Sequence, residues 1–148
     1  MKTLIVYDSN FGNAKLIAEE IGREFSPDSK VISVSDVKTN DLENLDLLVV
    51  GSPINAWRPT QSILWFIYKL KITNNKIAKV AAFDTRVKSF ISGNAAKKIA
   101  KAFTDRSFKI IEKPEGFYVS AKQGPLLPGE IERAKAWAKS IHEQMAQN

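Results

Sequence analysis

A short polar loop near the amino terminus has the residue types and the position of a phosphate-binding loop: Ser9-Asn10-Phe11-Gly12-Asn13-Ala14. It follows an apolar run at residues 4–7 and opens a helical pattern, as in a buried strand that turns into a helix. Such a turn leaves backbone N–H groups unpaired at the positive end of the helix dipole. Ser9, Asn10 and Asn13 add polar side chains, and Gly12 lets the backbone approach a ligand. Because the loop contains no Lys or Arg, the sequence predicts a phosphate held by neutral donors.

The pattern of this loop separates it from the commonest nucleotide-binding loops. It matches neither G-x-x-x-x-G-K-[ST] nor G-x-G-x-x-G. An ordinary strand-to-helix turn can have the same residue types, and short motifs match many unrelated chains. The loop alone therefore leaves a phosphate site and a plain turn both open.

Composition excludes several kinds of chemistry. The 148 residues are 44% hydrophobic, which predicts a single domain over residues 1–148 with a sizeable core. There is no Cys, which excludes disulfides, thiolate metal sites and a cysteine nucleophile. We expect the only histidine, His142, to be solvated, and we expect neither a catalytic residue nor a metal site. The sequence has no signal-peptide pattern and no apolar run long enough for a membrane span, so a cytoplasmic protein is predicted.

Charge is distributed unevenly along the sequence, whose formal net charge is +6. Residues 1–60 contain 6 Lys/Arg and 9 Asp/Glu, a net charge of −3, and residues 61–148 contain 16 and 7, a net charge of +9. A solvated basic face is the favoured explanation, and the alternative is that the basic half attracts acidic partners. No nucleic-acid motif accompanies the charge, so we expect no specific nucleic-acid partner.

Hydrophobic periodicity predicts strands that alternate with helices. The strands are predicted at residues 4–7, 31–34, 47–50 and 80–83, with a fifth in two pieces, 108–111 and 117–119, separated by Pro114 and Gly116. The helices are predicted to begin near Asn13, Thr60, Gly93 and Gly129. Their buried faces are predicted to include Ile17 and Ile21, Ile63 and Ile67, Ile99 and Phe103, and Ala138 and Ile141.

This order of elements predicts an α/β fold, a three-layer α-β-α sandwich around a five-stranded parallel sheet. The expected strand order is 2-1-3-4-5, in which ligands lie beyond the carboxyl ends of the strands where the order reverses. The loops at residues 8–13, 51–60 and 84–92 follow strands one, three and four. We therefore expect these three loops to meet at one site.

The second of these loops carries a large aromatic residue, Trp57. An exposed indole is unfavourable in water unless something covers it, and its flat face is suited to stack on an aromatic cofactor. The alternative is a hydrophobic plug that closes the end of the sheet. Trp57 ends the stretch Gly51-Ser52-Pro53-Ile54-Asn55-Ala56-Trp57.

Together these stretches resemble the flavodoxin family. The first loop is similar to the [ST]-x-x-G-x-[TA] loop with which flavodoxins hold the phosphate of FMN. Gly51-Ser52-Pro53-Ile54 followed by an aromatic residue resembles the second flavin loop of short-chain flavodoxins, and Phe83-Asp84-Thr85-Arg86 is similar to the F-D-T-R signature of one subgroup. The resemblance covers the whole chain and implies a flavodoxin-like fold with FMN as cofactor.

The resemblance also implies a role for each residue of the three loops. Phosphate binding is implied for Ser9, Asn10, Phe11, Gly12, Asn13 and Ala14. Cover for one side of the flavin ring is implied for Ser52, Pro53, Ile54, Asn55, Ala56 and Trp57. The other side is implied to be lined by Asp84, Thr85, Arg86 and Phe90. Ala14 stands where many flavodoxins have Thr, which removes one hydrogen bond to the phosphate. Arg58 and Arg86 would tune the second electron if they lay near the flavin N1, and solvated positions are the alternative for both.

Three functions remain open at this point. The leading hypothesis is a low-potential, FMN-dependent electron carrier, because none of the three loops has the long insertion that builds a substrate pocket. The alternatives are a small FMN oxidoreductase that acts on a quinone or a porphyrinogen, and a cofactor-free interaction module. Flavodoxins are typically acidic and this chain is basic, so we expect an acidic redox partner of the ferredoxin or rubredoxin type. Arg86 and Lys88 are expected to border the exposed ring edge.

Overall fold

Five strands and four α-helices alternate along the chain in the computed structural model, which describes residues 1–73, 76–89 and 93–147. Short 3-10 turns at Val34–Asp36 and Thr39–Leu42 join the second strand to the third. The other elements are β1 (Thr3–Tyr7), α1 (Asn13–Glu24), β2 (Ser29–Ser33), β3 (Leu45–Pro53), α2 (Gln61–Thr73), β4 (Ile77–Val87), α3 (Ala95–Thr104), β5 (Glu115–Val119) and α4 (Glu130–Gln147).

The strands form one parallel sheet in the order β2-β1-β3-β4-β5, as predicted. Ile5 of β1 pairs with Val31 of β2 on one side and with Val49 of β3 on the other. The apolar run at residues 47–50 of β3 is 0% exposed, because helices cover both faces of a parallel sheet. The α/β fold and its three layers are therefore confirmed.

Two apolar clusters fill the space between the sheet and its helices. On one face, Ile67 of α2 and Phe103 of α3 pack with Val50. On the other face, Ile17 of α1 and Ile141 of α4 pack in a cluster with Val49, Phe83 and Trp137. The eight helix-face residues named above are buried, because a 3.6-residue period puts the residues of each helix on a single stripe. Ile131, also predicted on the buried face of the last helix, is only partly buried.

Three local predictions were wrong. Val34 lies in a 3-10 turn after β2, because the chain leaves the sheet at Ser33. Gly116 lies within β5, where it pairs with Asp84. The stretch 108–111 is not a strand; its Ile110 makes a single parallel bridge with Val80 before the chain returns to the sheet at Glu115.

The carboxyl ends of β1, β3, β4 and β5 lie side by side at one edge of the sheet, so the loops that follow them are neighbours. Gly51 is needed at this edge because a Cβ atom on it would overlap the ring of Phe83 on the adjacent strand. Within the described ranges, no helix is long and apolar enough to cross a membrane.

Candidate cofactor site

A cavity of about 600 Å³ opens at the carboxyl edge of the sheet and brings together the three predicted loops. Residues of the first two loops form most of its wall. The described residues that line it are Ser9, Asn10, Phe11, Asn13, Ala14, Pro53, Ile54, Asn55, Ala56, Trp57, Thr85, Arg86, Val87, Val119 and Lys122. Of the predicted residues, Phe90 lies outside the described residues, and Gly12, Ser52 and Asp84 are not among those that line the cavity. Ser52 and Asp84 are fully buried, whereas Gly12 lies half-buried between the lining residues Phe11 and Asn13.

The first loop has the geometry of an anion site at a helix end. The N–H of Gly12 donates to Ser9 Oγ over 2.9 Å, which holds the loop in a tight turn. Gly12 adopts a φ of 91°, and a Cβ atom on it would meet nothing within 4 Å. Among the described residues, no side chain caps the first turn of α1. The N–H groups of that turn are therefore available to a ligand that fits the open space beside Gly12.

Asn13 has a structural task that its sequence position does not reveal. Its side chain is buried, and Nδ2 donates to the carbonyl of Gln123 over 3.2 Å. A Cβ atom on Gly124 would lie 2.7 Å from the Asn13 amide, so only glycine allows this close approach. The amide of Asn13 therefore joins the first loop to the loop after β5.

The second loop is a tight turn that holds Trp57 in a strained conformation. The N–H of Asn55 donates to the carbonyl of Arg58 over 2.8 Å, and the reverse bond measures 2.9 Å. Ala56 and Trp57 between them have φ values of 47° and 67°, the left-handed region that costs a non-glycine residue roughly 1–2 kcal/mol. Such strain persists only where the surroundings impose it, and it is found most often at functional sites.

Contacts from α3 and from the first loop impose this conformation. Lys98 Nζ donates to the carbonyl of Trp57 over 2.8 Å, and Gly93 lies against Trp57, where a Cβ atom would come within 2.7 Å of the indole. Asn10 Nδ2 donates to Asn55 Oδ1 over 3.3 Å. The indole is 60% exposed and lines the cavity, so the turn presents a large aromatic face at the mouth of the site.

Ser52 is fully buried and shapes the second loop from below. Its hydroxyl donates to the carbonyl of Pro53 over 2.8 Å and accepts the N–H of Thr60 over 2.9 Å. These two bonds hold the start of the loop next to its end, just before α2. Ser52 therefore supports the wall of the cavity.

The third loop is held by a buried ion pair. Asp84, which is 0% exposed, accepts hydrogen bonds from Arg86 Nε over 2.8 Å and from Arg86 Nη2 over 2.6 Å. It also accepts the N–H of Ala96 in the first turn of α3 over 2.8 Å. Arg86 Nη2 donates in addition to Asn94 Oδ1 over 3.0 Å, and the guanidinium lies where a Cβ atom on Gly116 would otherwise be. The pair therefore ties together β4, β5 and α3.

This pairing corrects the expectation that Arg86 contributes a free positive charge to the site. Arg86 lines the cavity, but its guanidinium lies in a bidentate bond with a carboxylate, and the two charges largely cancel for any ligand in the cavity. Burial raises the pKa of the Asp84 carboxyl above its ordinary value of 3.8, and hydrogen bonds from Arg86 and from the N–H of Ala96 oppose that rise.

Sequence reasoning missed three lining residues: Val87, Val119 and Lys122. Val87 ends β4, and the other two lie at the end of β5 or just after it. The signal that could have found the last two was the topology itself, because β5 of the predicted sheet ends at the same edge as β1, β3 and β4.

Comparison with known proteins identifies the family. The flavodoxin family model matches residues 5–145. The chain belongs to the flavodoxin family. Members of this family bind FMN, and the family resemblance seen in the three loops is confirmed. The match includes all three loops of the candidate site.

One protein of similar sequence and two solved structures of similar fold accompany this family match. The chain is 28% identical over 153 residues to an uncharacterized protein of Methanocaldococcus jannaschii, which covers 95% of this chain and 98% of that one. A flavodoxin from the domain Archaea is similar in structure, with a TM-score of 0.81, 24% identity and 99% coverage of both chains. The rubredoxin oxygen:oxidoreductase of Desulfovibrio gigas has a TM-score of 0.82 at 18% identity, over 99% of this chain and 36% of that one. These two structures show the flavodoxin fold.

The buried pair leads to a prediction about pH. A carboxyl whose pKa is raised in the native state stabilises that state below its unfolded pKa of 3.8, and this contribution is lost as pH rises through the native pKa. We therefore expect the free energy of unfolding of the wild type, minus that of Asp84→Asn, to fall as pH rises above 3.8. Urea unfolding followed by tryptophan fluorescence measures both quantities. A difference that rises with pH would mean that the Arg86 partner outweighs burial.

Proposed function

We propose that this member of the flavodoxin family binds FMN and acts as a low-potential electron carrier between redox proteins. The observation that supports it best is the single cavity that joins an uncapped helix end, open space beside Gly12 and the exposed face of Trp57. An anion site and an aromatic surface in one cavity match the two chemical parts of FMN, its phosphate and its ring. When bound, FMN supplies the capacity to accept and release one or two electrons.

The residues of the chain would divide the tasks of holding the cofactor. The N–H groups in the first turn of α1 would bind the phosphate, and Ser9 keeps the loop open for it. Trp57 would cover one face of the ring, while Thr85 and Arg86 would line the other side. The paired Asp84 and Arg86 would keep this third loop rigid and nearly neutral.

The turn at Asn55–Arg58 offers one backbone group for the edge of the ring. The carbonyl of Asn55 accepts the N–H of Arg58, and the carbonyl of Trp57 accepts Lys98. Within the described residues, the carbonyl of Ala56 has no such partner. We therefore assign to it the hydrogen bond from the flavin edge, whose strength would set the balance between one-electron and two-electron transfer.

An electron carrier fits the open mouth of the cavity better than an enzyme with its own substrate. In the described parts of the three loops, no insertion builds a second pocket over the mouth, where Trp57 stays exposed. Steady turnover of a quinone with a nicotinamide donor would contradict this proposal and favour the oxidoreductase alternative. Absence of flavin from the purified protein, together with failure to bind added FMN, would favour the interaction module.

The first prediction from this proposal concerns the phosphate. Isothermal titration of the apoprotein should show FMN binding tighter than riboflavin by about 100-fold, the effect of two charge-assisted hydrogen bonds of roughly 1.5 kcal/mol each. Gly12→Val should abolish most of this preference, because its side chain would fill the open space where the phosphate is expected. Equal affinity for the two flavins would show that the loop does not hold phosphate.

Gly129 provides a matched control for the glycine variant. It has a φ of 89° against 91° for Gly12, and a Cβ atom on it also meets nothing within 4 Å. Gly12 lies between the lining residues Phe11 and Asn13, whereas neither chain neighbour of Gly129 lines the cavity. Gly129→Val therefore introduces the same backbone strain away from the site. It should leave the preference for FMN unchanged, so that a loss seen only in Gly12→Val reports on the phosphate site.

The second prediction concerns Trp57. Stacking on the flavin adds roughly 0.5–1.5 kcal/mol beyond the area buried, and it quenches indole fluorescence. Trp57→Ala should therefore bind FMN more weakly and lose part of the quenching, measured by fluorescence titration. Trp65, which is 57% exposed on α2 and does not line the cavity, serves as control, and Trp65→Ala should bind FMN normally. If Trp57→Ala keeps the affinity and the flavin spectrum of the wild type, Trp57 is only a plug.

The third prediction concerns the partner, for which we propose an acidic redox protein of the ferredoxin or rubredoxin type. Arg58 and Lys88 are exposed beside the cavity mouth, whereas Arg86 is neutralised by its partner. Complementary charge accelerates association by about 10- to 1000-fold at low salt, and added salt screens it. Stopped-flow electron transfer to an acidic ferredoxin should therefore slow steeply as salt rises.

Charge-reversal variants locate this effect on the surface. The double variant Arg58→Glu and Lys88→Glu should remove most of the salt dependence. The matched variant Lys135→Glu and Lys139→Glu changes the net charge equally at exposed positions of α4 and should keep most of it. A rate that does not change with salt in the wild type would show that the basic half is a solvated face.

A further inference from the structure

The charges around the cavity leave one cation without a counter-charge. Among the described lining residues, none is Asp or Glu, and two are cationic, Arg86 and Lys122. Arg86 is paired in a bidentate bond with Asp84. Lys122 has no hydrogen bond or ion pair in the part of the chain that the structure describes. Lys122 therefore carries the one uncompensated positive charge among the described residues that line the cavity.

A rigid turn holds Lys122 at this position. Residues 121–124 form a β-turn, closed by the bond from Gly124 N–H to the carbonyl of Ala121 over 2.8 Å, with Lys122 as its second residue. Ser120 reinforces the turn, since its hydroxyl donates to the carbonyl of Gly124 over 2.9 Å and its N–H donates to Pro125 over 2.9 Å. The turn therefore fixes the backbone position from which the Lys122 side chain extends.

The same turn is docked on the first loop. The bond from Asn13 Nδ2 to the carbonyl of Gln123 and the close approach of Gly124 to the Asn13 amide join the turn to the first residue of α1. Lys122 is therefore two residues or fewer from both contacts. The turn therefore places Lys122 beside the first loop, on the wall of the cavity.

We propose that Lys122 is the charged ligand of the cofactor phosphate, supplied from outside the phosphate loop. The inference rests on the proposed binding of FMN. A phosphate monoester carries about −1.5 to −2 charges at pH 7, whereas a helix end supplies only about half a positive charge. The first loop has no cation of its own. Lys122 offsets the remaining negative charge, so phosphate recognition in this chain is ionic and does not depend on neutral donors alone.

The test compares the binding of FMN, which has a phosphate, with the binding of riboflavin, which has none, in variants of Lys122. FMN and riboflavin are titrated into apoprotein of the wild type, Lys122→Gln, Lys122→Arg and the control Lys139→Gln, which removes an exposed charge on α4 away from the cavity. Lys122→Gln should weaken the binding of FMN by about two- to fivefold at low salt and leave the binding of riboflavin unchanged, the range for an exposed ion pair. Lys122→Arg should restore most of the FMN affinity.

Salt dependence gives a second readout from the same titrations. FMN affinity of the wild type should fall as salt rises, and the fall should be smaller for Lys122→Gln than for Lys139→Gln, because Lys122→Gln removes the cation proposed to pair with the phosphate. The affinity for riboflavin, which has no phosphate, should depend little on salt concentration in any variant.

The outcomes separate this inference from the proposed function. Equal weakening of FMN and riboflavin by Lys122→Gln would overturn it, because the lysine would then act on the ring or on the loop. FMN affinity of Lys122→Gln equal to that of Lys139→Gln would also overturn it. Failure of the wild type to bind FMN would refute both proposals, and this is seen without any variant.

Discussion

The parallel pairing of β3 with β1 and β4 is the constraint on which the rest of this molecule depends. Residues 47–50 of β3 are 0% exposed, with strands on both sides and apolar clusters above and below. A shift of one residue in this register would turn each side chain to the opposite face and disrupt both clusters. Because this register is fixed, the carboxyl ends of neighbouring strands align at one edge of the sheet. The loops that follow these strands therefore meet and form a shared cavity.

The polar residues at this edge work mainly to hold the cavity in shape. Ser52 closes the second loop, Asn13 joins the first loop to the turn after β5, and Asp84 fixes Arg86 against β5 and α3. Each of these groups is buried and hydrogen-bonded, and removing one partner would leave a desolvated polar group. The site is therefore preorganised by buried residues that support its wall.

In the strained turn at Asn55–Arg58, too, some residues support the backbone while another side chain faces the cavity. Left-handed conformations at Ala56 and Trp57 are unfavourable in isolation, and they are maintained by Lys98, Gly93 and the link to Asn10. In this strained conformation, the backbone holds the indole of Trp57 exposed to solvent at the mouth of the cavity.

The sequence by itself determined the class of fold and the three loops of the candidate site. Apolar runs such as residues 47–50 and helical stripes such as Ile63 with Ile67 are recognised from the spacing of apolar residues. This spacing is visible in the sequence without any knowledge of the fold. Motifs in residues 9–14 and 51–57 identified the cavity wall because each loop follows a strand directly. Only the tertiary structure decided that Asp84 neutralises Arg86, that Ser52 lies behind the wall, and that Lys122 reaches the cavity. Burial and pairing of polar side chains depend on residues distant in sequence, such as Gln123 beside Asn13, and no local pattern encodes those contacts.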